Sequence, residues 1–214
     1  MEISLSPYVL SPLKRTLDIV LALLLLLLSL PLWAVVCLAI LLEDGRPIFY
    51  TQKRVGRGGR PFTVYKFRSM VKDAEKHTGP VLATADDPRV TRVGRFLRAR
   101  AIDEMPQWLN ILCGQMSFVG PRPERPEIVA EIVATCPEFA LRHLLRPGLT
   151  GPAQVYGHYE SDPREKLVYD LEYARTATLG QDLRLILRSF GLTFAARWQE
   201  RQSHLAPDNQ RRTL

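Results

Sequence analysis

From Ile19 to Leu42 the chain reads IVLALLLLLLSLPLWAVVCLAILL, without one charged side chain, and every later apolar stretch is short and periodic. A helix over this run rises about 36 Å, enough to cross a hydrocarbon core of about 30 Å. Pro31 interrupts that reading. It removes one backbone hydrogen bond and crowds the Leu27 carbonyl, so a bend is expected near the middle, with Ser29 positioned to satisfy the freed carbonyl. Each half is then about 18 Å long, better suited to a re-entrant segment than to a span, with a kinked single span as the alternative. Lys14 and Arg15 precede the run and Lys53, Arg54, Arg57 and Arg60 follow it, so charge favours translocating neither end. A cleaved signal peptide is disfavoured by the length of the run and by the lack of a small-residue cleavage site.

Downstream, Ile48 to Thr51 and Phe62 to Phe67 alternate as two strands, joined as a hairpin through the Gly-rich stretch Gly56 to Pro61. Its VGRGG sequence lacks the GK[ST] and the strand-to-helix setting of a phosphate-binding loop. Val71 to Asp87 reads as polar loop. Arg89 to Ala101 carries arginines at 89, 92, 95 and 98, a helix with one cationic stripe. Leu167 to Thr178 and Asp182 to Gln199 read as further helices, the second with Leu183, Ile186, Leu187, Phe190, Phe194 and Trp198 among arginines, an arrangement for a membrane interface or for core packing alike. The expected fold is mainly α with a small β-hairpin. It divides into an N-terminal segment with the apolar helix (1–44), a globular domain (45–200) and a polar tail (201–214).

Composition sharpens this picture at one point. The net charge is +7, but residues 45 to 100 hold fourteen Lys and Arg against four Asp and Glu, so this block carries +10 and the rest is slightly negative. Such a block is a surface for lipid headgroups, nucleic acid or a phosphorylated substrate. Nucleic acid is disfavoured by the apolar run and by the lack of a recognition helix or stacking platform. The three cysteines and four histidines show neither disulfide nor metal-ligand spacing.

The densest chemistry lies in Ile102 to Pro123, IDEMPQWLNILCGQMSFVGPRP. Asp103 suits an N-cap, Pro106 a first turn, and Trp108, Leu109, Ile111 and Leu112 an apolar face before Gly114 ends the helix. A purely structural role for Asp103 and Glu104 follows easily. Against it, two adjacent carboxylates stand where an arginine stripe and a helix N-terminus both attract anions. A divalent cation with a diphosphate reconciles these charges.

Lys14-Arg15 and Asp18 before a proline-broken apolar run, then QKRVG, VYKFRSM, FLRARAIDEMPQWLNIL, GQMSFVGPRPE and RPGLTGPAQV, resemble the monotopic phosphoglycosyl transferases, or bacterial sugar transferases, from about Lys14 to Phe194. The resemblance implies transfer of a sugar 1-phosphate from a UDP-sugar to polyprenol phosphate, with release of UMP. It makes Asp103 the nucleophile that forms a phosphosugar-enzyme and Glu104 the ligand of Mg²⁺. Glu104, about 100° round a helix from Asp103, is not expected to face the same point. Lys66 and Arg98 would hold phosphoryl oxygens, and Pro121, Arg122, Pro123 and Arg146 would serve the nucleotide. The resemblance also implies a re-entrant helix broken at Ser29 and Pro31, and a catalytic domain on the cytoplasmic face of the bacterial inner membrane, among its lipids.

Three departures stand out. Leu30 separates Ser29 from Pro31, where the family often has Ser directly before the proline; Gln115 replaces an Asp; Pro152 replaces a Trp. The chain is expected to be the family's minimal form, without the extra N-terminal spans of longer relatives. Neither the sugar nor the oligomeric state is legible, a homodimer included. Two other readings remain at this point: a membrane-tethered basic module for lipid or nucleic acid, and a scaffold in which the two carboxylates merely cap a helix.

Overall fold

The computed structural model describes residues 4–74, 76, 87–157 and 162–194. Most of the expected loop up to Asp87, with His77, and also His158, His204 and the C-terminal tail lie outside these residues.

The apolar run lies within a helix. After the short α1 (Pro7–Leu10), α2 runs from Pro12 to Asp44 with Pro31 inside it, and Ser11 opens it by accepting the Lys14 N–H in front of a proline in the first turn. Ser29 donates to the Leu26 carbonyl at 3.0 Å, not to the Leu27 carbonyl that the proline frees, which corrects the expected partner. The outward positions, Leu27, Leu28, Val35 and Leu42 among them, are more than half exposed.

Both ends and the middle of α2 are tied to one body. Near its start, Arg15 donates to the Ile111 and Leu112 carbonyls. Near its end, Arg68 donates to the Asp44 and Gly45 carbonyls, and Glu43 accepts the backbone N–H groups of Arg92 and Val93. Between them Trp33 packs edge-on against Phe67, with ring centroids 5.1 Å apart, in a cluster with Phe49. Such an aromatic pair adds about 1 kcal/mol beyond its buried area.

The hairpin is longer than its alternation suggested. β1 (Phe49–Val55) and β2 (Pro61–Phe67) pair antiparallel with Phe49 opposite Phe67 and Tyr50 opposite Lys66. The turn reverses through Gly58 and Gly59, both at positive φ, where glycine alone is unstrained. The arginine helix, α3 (Arg92–Ala99), starts later than expected because Thr91 caps it by accepting the Gly94 N–H. Arg89 falls outside it and pairs with Asp87, removing that arginine from the stripe.

The helix expected to begin at Asp103 is the largest correction. Ala101 adopts a left-handed conformation, Ile102–Glu104 form a single 3₁₀ turn, and α4 covers only Gln107–Leu112. Asp103 therefore caps no helix. In α4, Gln107, Trp108, Asn110 and Ile111 are buried, whereas Leu109 points outward.

A second, parallel pair escaped the sequence. β3 (Ser117–Val119) lies beside β4 (Gly148–Thr150), where the two backbones approach so closely that a Cβ on Gly148 would stand 2.2 Å from the Gly120 nitrogen. α5 (Pro126–Thr135) and a 3₁₀ stretch (Pro137–Leu144) follow β3, and α6 (Pro152–Val155) follows β4. The last two helices, α7 (Pro163–Thr176) and α8 (Leu179–Phe194), begin three or four residues before their expected starts. Residues beyond 194, including the expected end at Gln199, are outside those described. Mainly helical architecture with a small hairpin is thus what the chain adopts.

Candidate active site

Four separate elements deliver charge to one place. Lys66 comes from β2, Asp103 and Glu104 from the 3₁₀ turn, Arg98 from α3, and Arg122 from the segment after β3. That segment is strapped on both sides. The Gly120 N–H donates to the Thr150 carbonyl and the Gly148 N–H to the Pro121 carbonyl, while the Val55 N–H donates to Glu124 and Arg54 to the Pro123 carbonyl. The prolines of Pro121-Arg122-Pro123 restrict the backbone, and Arg122 is aimed at the dyad.

Glu104 is the fixed member. Its Oε1 accepts from Lys66 Nζ at 2.7 Å and from Arg122 at 3.0 Å, and no described residue bonds Oε2. Burial alone would raise its pKa, but Lys66 and Arg122 together hold this carboxyl well below the ordinary range.

Asp103 is the opposite. It is 8% exposed and accepts no hydrogen bond among the described residues. Burial raises its pKa; the charge of Lys66 opposes that most strongly, Glu104 adds to it, and Arg98 and Arg122 oppose it further. Both carboxylates thus feel Lys66 and Arg122, so they share one electrostatic site despite the angular separation expected of a helix. Arg98 is oriented by Ser69, whose hydroxyl accepts its Nε–H at 2.8 Å.

Arg146 stands apart from this group. Its Nε donates to the Gly114 carbonyl at the far end of α4, and its charged neighbours are Arg57, Arg15 and Asp18. Ser29 and Pro31 sit within α2. Gln115, the departure from the family's Asp, accepts from the buried amide of Asn110, a residue that spacing gave no reason to single out.

For a divalent cation, the described residues contain no group of three or more His, Cys, Asp or Glu side chains. Mg²⁺ commonly uses one or two protein carboxylates and completes its shell with phosphate and water, so Asp103 with the unbonded Oε2 of Glu104 is a donor set it fits.

Comparison with known proteins adds to this geometry. The family model described as "Bacterial sugar transferase" matches residues 9–196. The chain belongs to the bacterial sugar transferase family. Among curated relatives, the UDP-glucose:undecaprenyl-phosphate glucose-1-phosphate transferase of Caulobacter vibrioides is 45% identical over 183 residues, 82% of this chain and 67% of that protein. A putative undecaprenyl-phosphate N-acetylgalactosaminyl 1-phosphate transferase of Bacillus subtilis is 51% identical over 129 residues, 60% of this chain and 72% of that one. A UDP-N-acetylgalactosamine-undecaprenyl-phosphate N-acetylgalactosaminephosphotransferase of Aeromonas hydrophila is 40% identical over 179 residues, 82% of this chain but 42% of that protein. This member of the bacterial sugar transferase family thus spans less than half of the Aeromonas protein's length.

Proposed function

We propose that the chain transfers a sugar 1-phosphate from a UDP-sugar to a polyprenol phosphate, of the undecaprenyl class named for its relatives, and releases UMP. This would start assembly of a glycoconjugate such as a capsule, exopolysaccharide or O-antigen. The observation that carries the reading is the contrast within the dyad: one carboxylate locked by two cations, and its neighbour unbonded among the same cations.

The chemistry follows from that contrast. An Asp103 oxygen attacks the β-phosphorus of the UDP-sugar, the bond from that phosphorus to the bridging oxygen breaks, and UMP leaves with the bond's electrons. A phosphosugar remains on Asp103. A polyprenol phosphate oxygen then attacks the same phosphorus, the Asp103 oxygen departs as carboxylate, and a polyprenyl diphosphate sugar is released. Asp103 reacts only when ionised, and Lys66, Arg98 and Arg122 supply the positive field that opposes the effect of its burial and lets an anion approach. Lys66 and Arg122 also keep Glu104 ionised. Mg²⁺, held through the free Oε2 of Glu104, would neutralise the diphosphate.

Two features support a re-entrant α2, and its entry from the cytoplasmic face of the bacterial inner membrane is part of the same proposal. Its leucines need an apolar surrounding, since an exposed face of this size is unfavourable in water. Its ends, moreover, are joined by a short chain of bonds, from Arg15 to Ile111, from the adjoining Asn110 to Tyr65, and from Arg68 to Asp44. A straight helix would hold Arg15 and Asp44 about 44 Å apart, a separation those links reach only when pulled into a single line, so a bend at Pro31 is favoured. The exposed stripe Leu179, Leu183, Leu187 and Phe190 of α8 is available to the same membrane.

The test is direct. Detergent-solubilised protein incubated with a UDP-sugar and Mg²⁺ should carry a phosphosugar on the peptide containing Asp103, detectable by mass spectrometry, and polyprenol phosphate should discharge it. An unmodified peptide under demonstrated turnover overturns the covalent mechanism, and release of UDP in place of UMP overturns the reaction class.

A further inference from the structure

Asn110 is fully buried in the middle of α4, where an amide is costly unless each polar atom is bonded. It is bonded throughout. Nδ2 donates to the Thr63 carbonyl and to Gln115 Oε1, both at 2.7 Å, and Oδ1 accepts the Tyr65 N–H at 3.2 Å. A carbonyl only accepts and an N–H only donates, so the orientation of the amide is fixed.

The two strand groups it reads are two residues apart on one edge of β2. An amide that bonds the C=O of one residue and the N–H of the next but one stands where one residue of a parallel neighbouring strand would be. β1 occupies the other edge, so the Asn110 side chain completes the ladder and fixes α4 against β2. Lys66 follows Tyr65 directly, and its ammonium meets Glu104, six residues before Asn110. The same two stretches of chain are therefore joined at two points, one structural and one in the site.

We infer that Asn110 is a positioning residue for the transfer reaction: its side-chain amide sets the register of β2 against α4, and thereby brings Lys66 to Glu104 beside Asp103. Gln115 belongs to the same clamp and holds the second hydrogen of Nδ2. A leucine at position 110 has the same branching and number of heavy atoms, whereas only an amide reads both strand groups. The consequence for turnover rests on the transferase reading; the clamp itself does not.

The experiment is a double-mutant cycle in the full chain in detergent. Asn110→Leu should lower kcat for UMP release about 30-fold, with the UDP-sugar KM changed less than about threefold, because misplacement by an ångström costs turnover before binding. In a Lys66→Met background the same change should cost less than about threefold, since the residue acts through Lys66. Hydrogen exchange in peptides covering 61–67 and 107–112 should accelerate while α7 stays protected. Asn110→Asp, isosteric but facing two oxygens, carries the cycle if the leucine variant fails to fold. Equal losses in both backgrounds, or full activity of Asn110→Leu, overturn the inference. If the wild type releases no UMP from any UDP-sugar, the transferase reading falls and exchange alone decides: uniform or unchanged exchange overturns the clamp.

Discussion

Two charged clusters flank α4, and they use the same residue types to opposite ends. At the root of α2, Lys14 lies 3.2 Å from Asp18 and 2.7 Å from Asp182, with both aspartates at 0% exposure. Tyr8 and Tyr173 donate to Asp182, and Ser117 and the Phe118 N–H donate to Asp18. Carboxylates outnumber cations there, and neutral donors bond both oxygens of Asp182 and the Oδ1 of Asp18, whose buried Oδ2 has no partner among the described residues. At the dyad the balance is reversed: Lys66, Arg98 and Arg122 face two carboxylates, one of which has no hydrogen bond among the described residues. A buried carboxylate surrounded by donors is held in place. One surrounded by charge but bonded to nothing is available to react.

That contrast can be broken from either side. The largest effect belongs to Asp103→Asn, which should reduce UMP release at least about 10³-fold by removing the nucleophile. Since Asp103 makes no hydrogen bond among the described residues and caps no helix, the melting temperature of that variant in detergent should move by less than about 2 °C. Asp182→Ala should do the reverse. It leaves two tyrosines without their acceptor and Lys14 with Asp18 alone, and should cost about 3–5 kcal/mol of stability, read as a fall in melting temperature or in folded yield. The smallest change is Tyr173→Phe, which removes the 2.6 Å bond to Asp182 and should cost about 1–2 kcal/mol with kcat unaltered. Burial and the charge of Asp182 both push the Tyr173 phenol above its ordinary range, so it remains a donor throughout the working pH range. A tyrosine variant that lost turnover without losing stability would erase the distinction between the two clusters.

The sequence carried the parts of this design that depend on neighbours in the chain. Alternation marked the hairpin, the unbroken run marked α2, and the adjacent carboxylates marked the dyad. What it misplaced depends on distant partners. Asp103 had every local feature of an N-cap, but Ala101 in a left-handed conformation turns the chain before it, and nothing about an alanine announces that. Leu109 was expected inside and Asn110 was given no role, because the gain from covering the edge of β2 belongs to residues more than forty positions away. β3 and β4 are three residues each, too short for any periodicity, and meet only because Gly120 and Gly148 admit each other's backbone. Arg146 was assigned to the nucleotide by the family resemblance; in the fold its side chain donates to the Gly114 carbonyl at the opposite end of α4 from the dyad.

Glu43 has a consequence for how the dyad's field is made. Its carboxylate accepts two N–H groups in the first turn of α3, so the end of that helix with the partial positive charge is already occupied by an anion from α2. α4 opens behind Pro106, which has no N–H to offer. On the transferase reading, the protein's own attraction for a diphosphate is thus left to the side chains of Lys66, Arg98 and Arg122, and it can be dismantled one cation at a time, as a field built from backbone could not be.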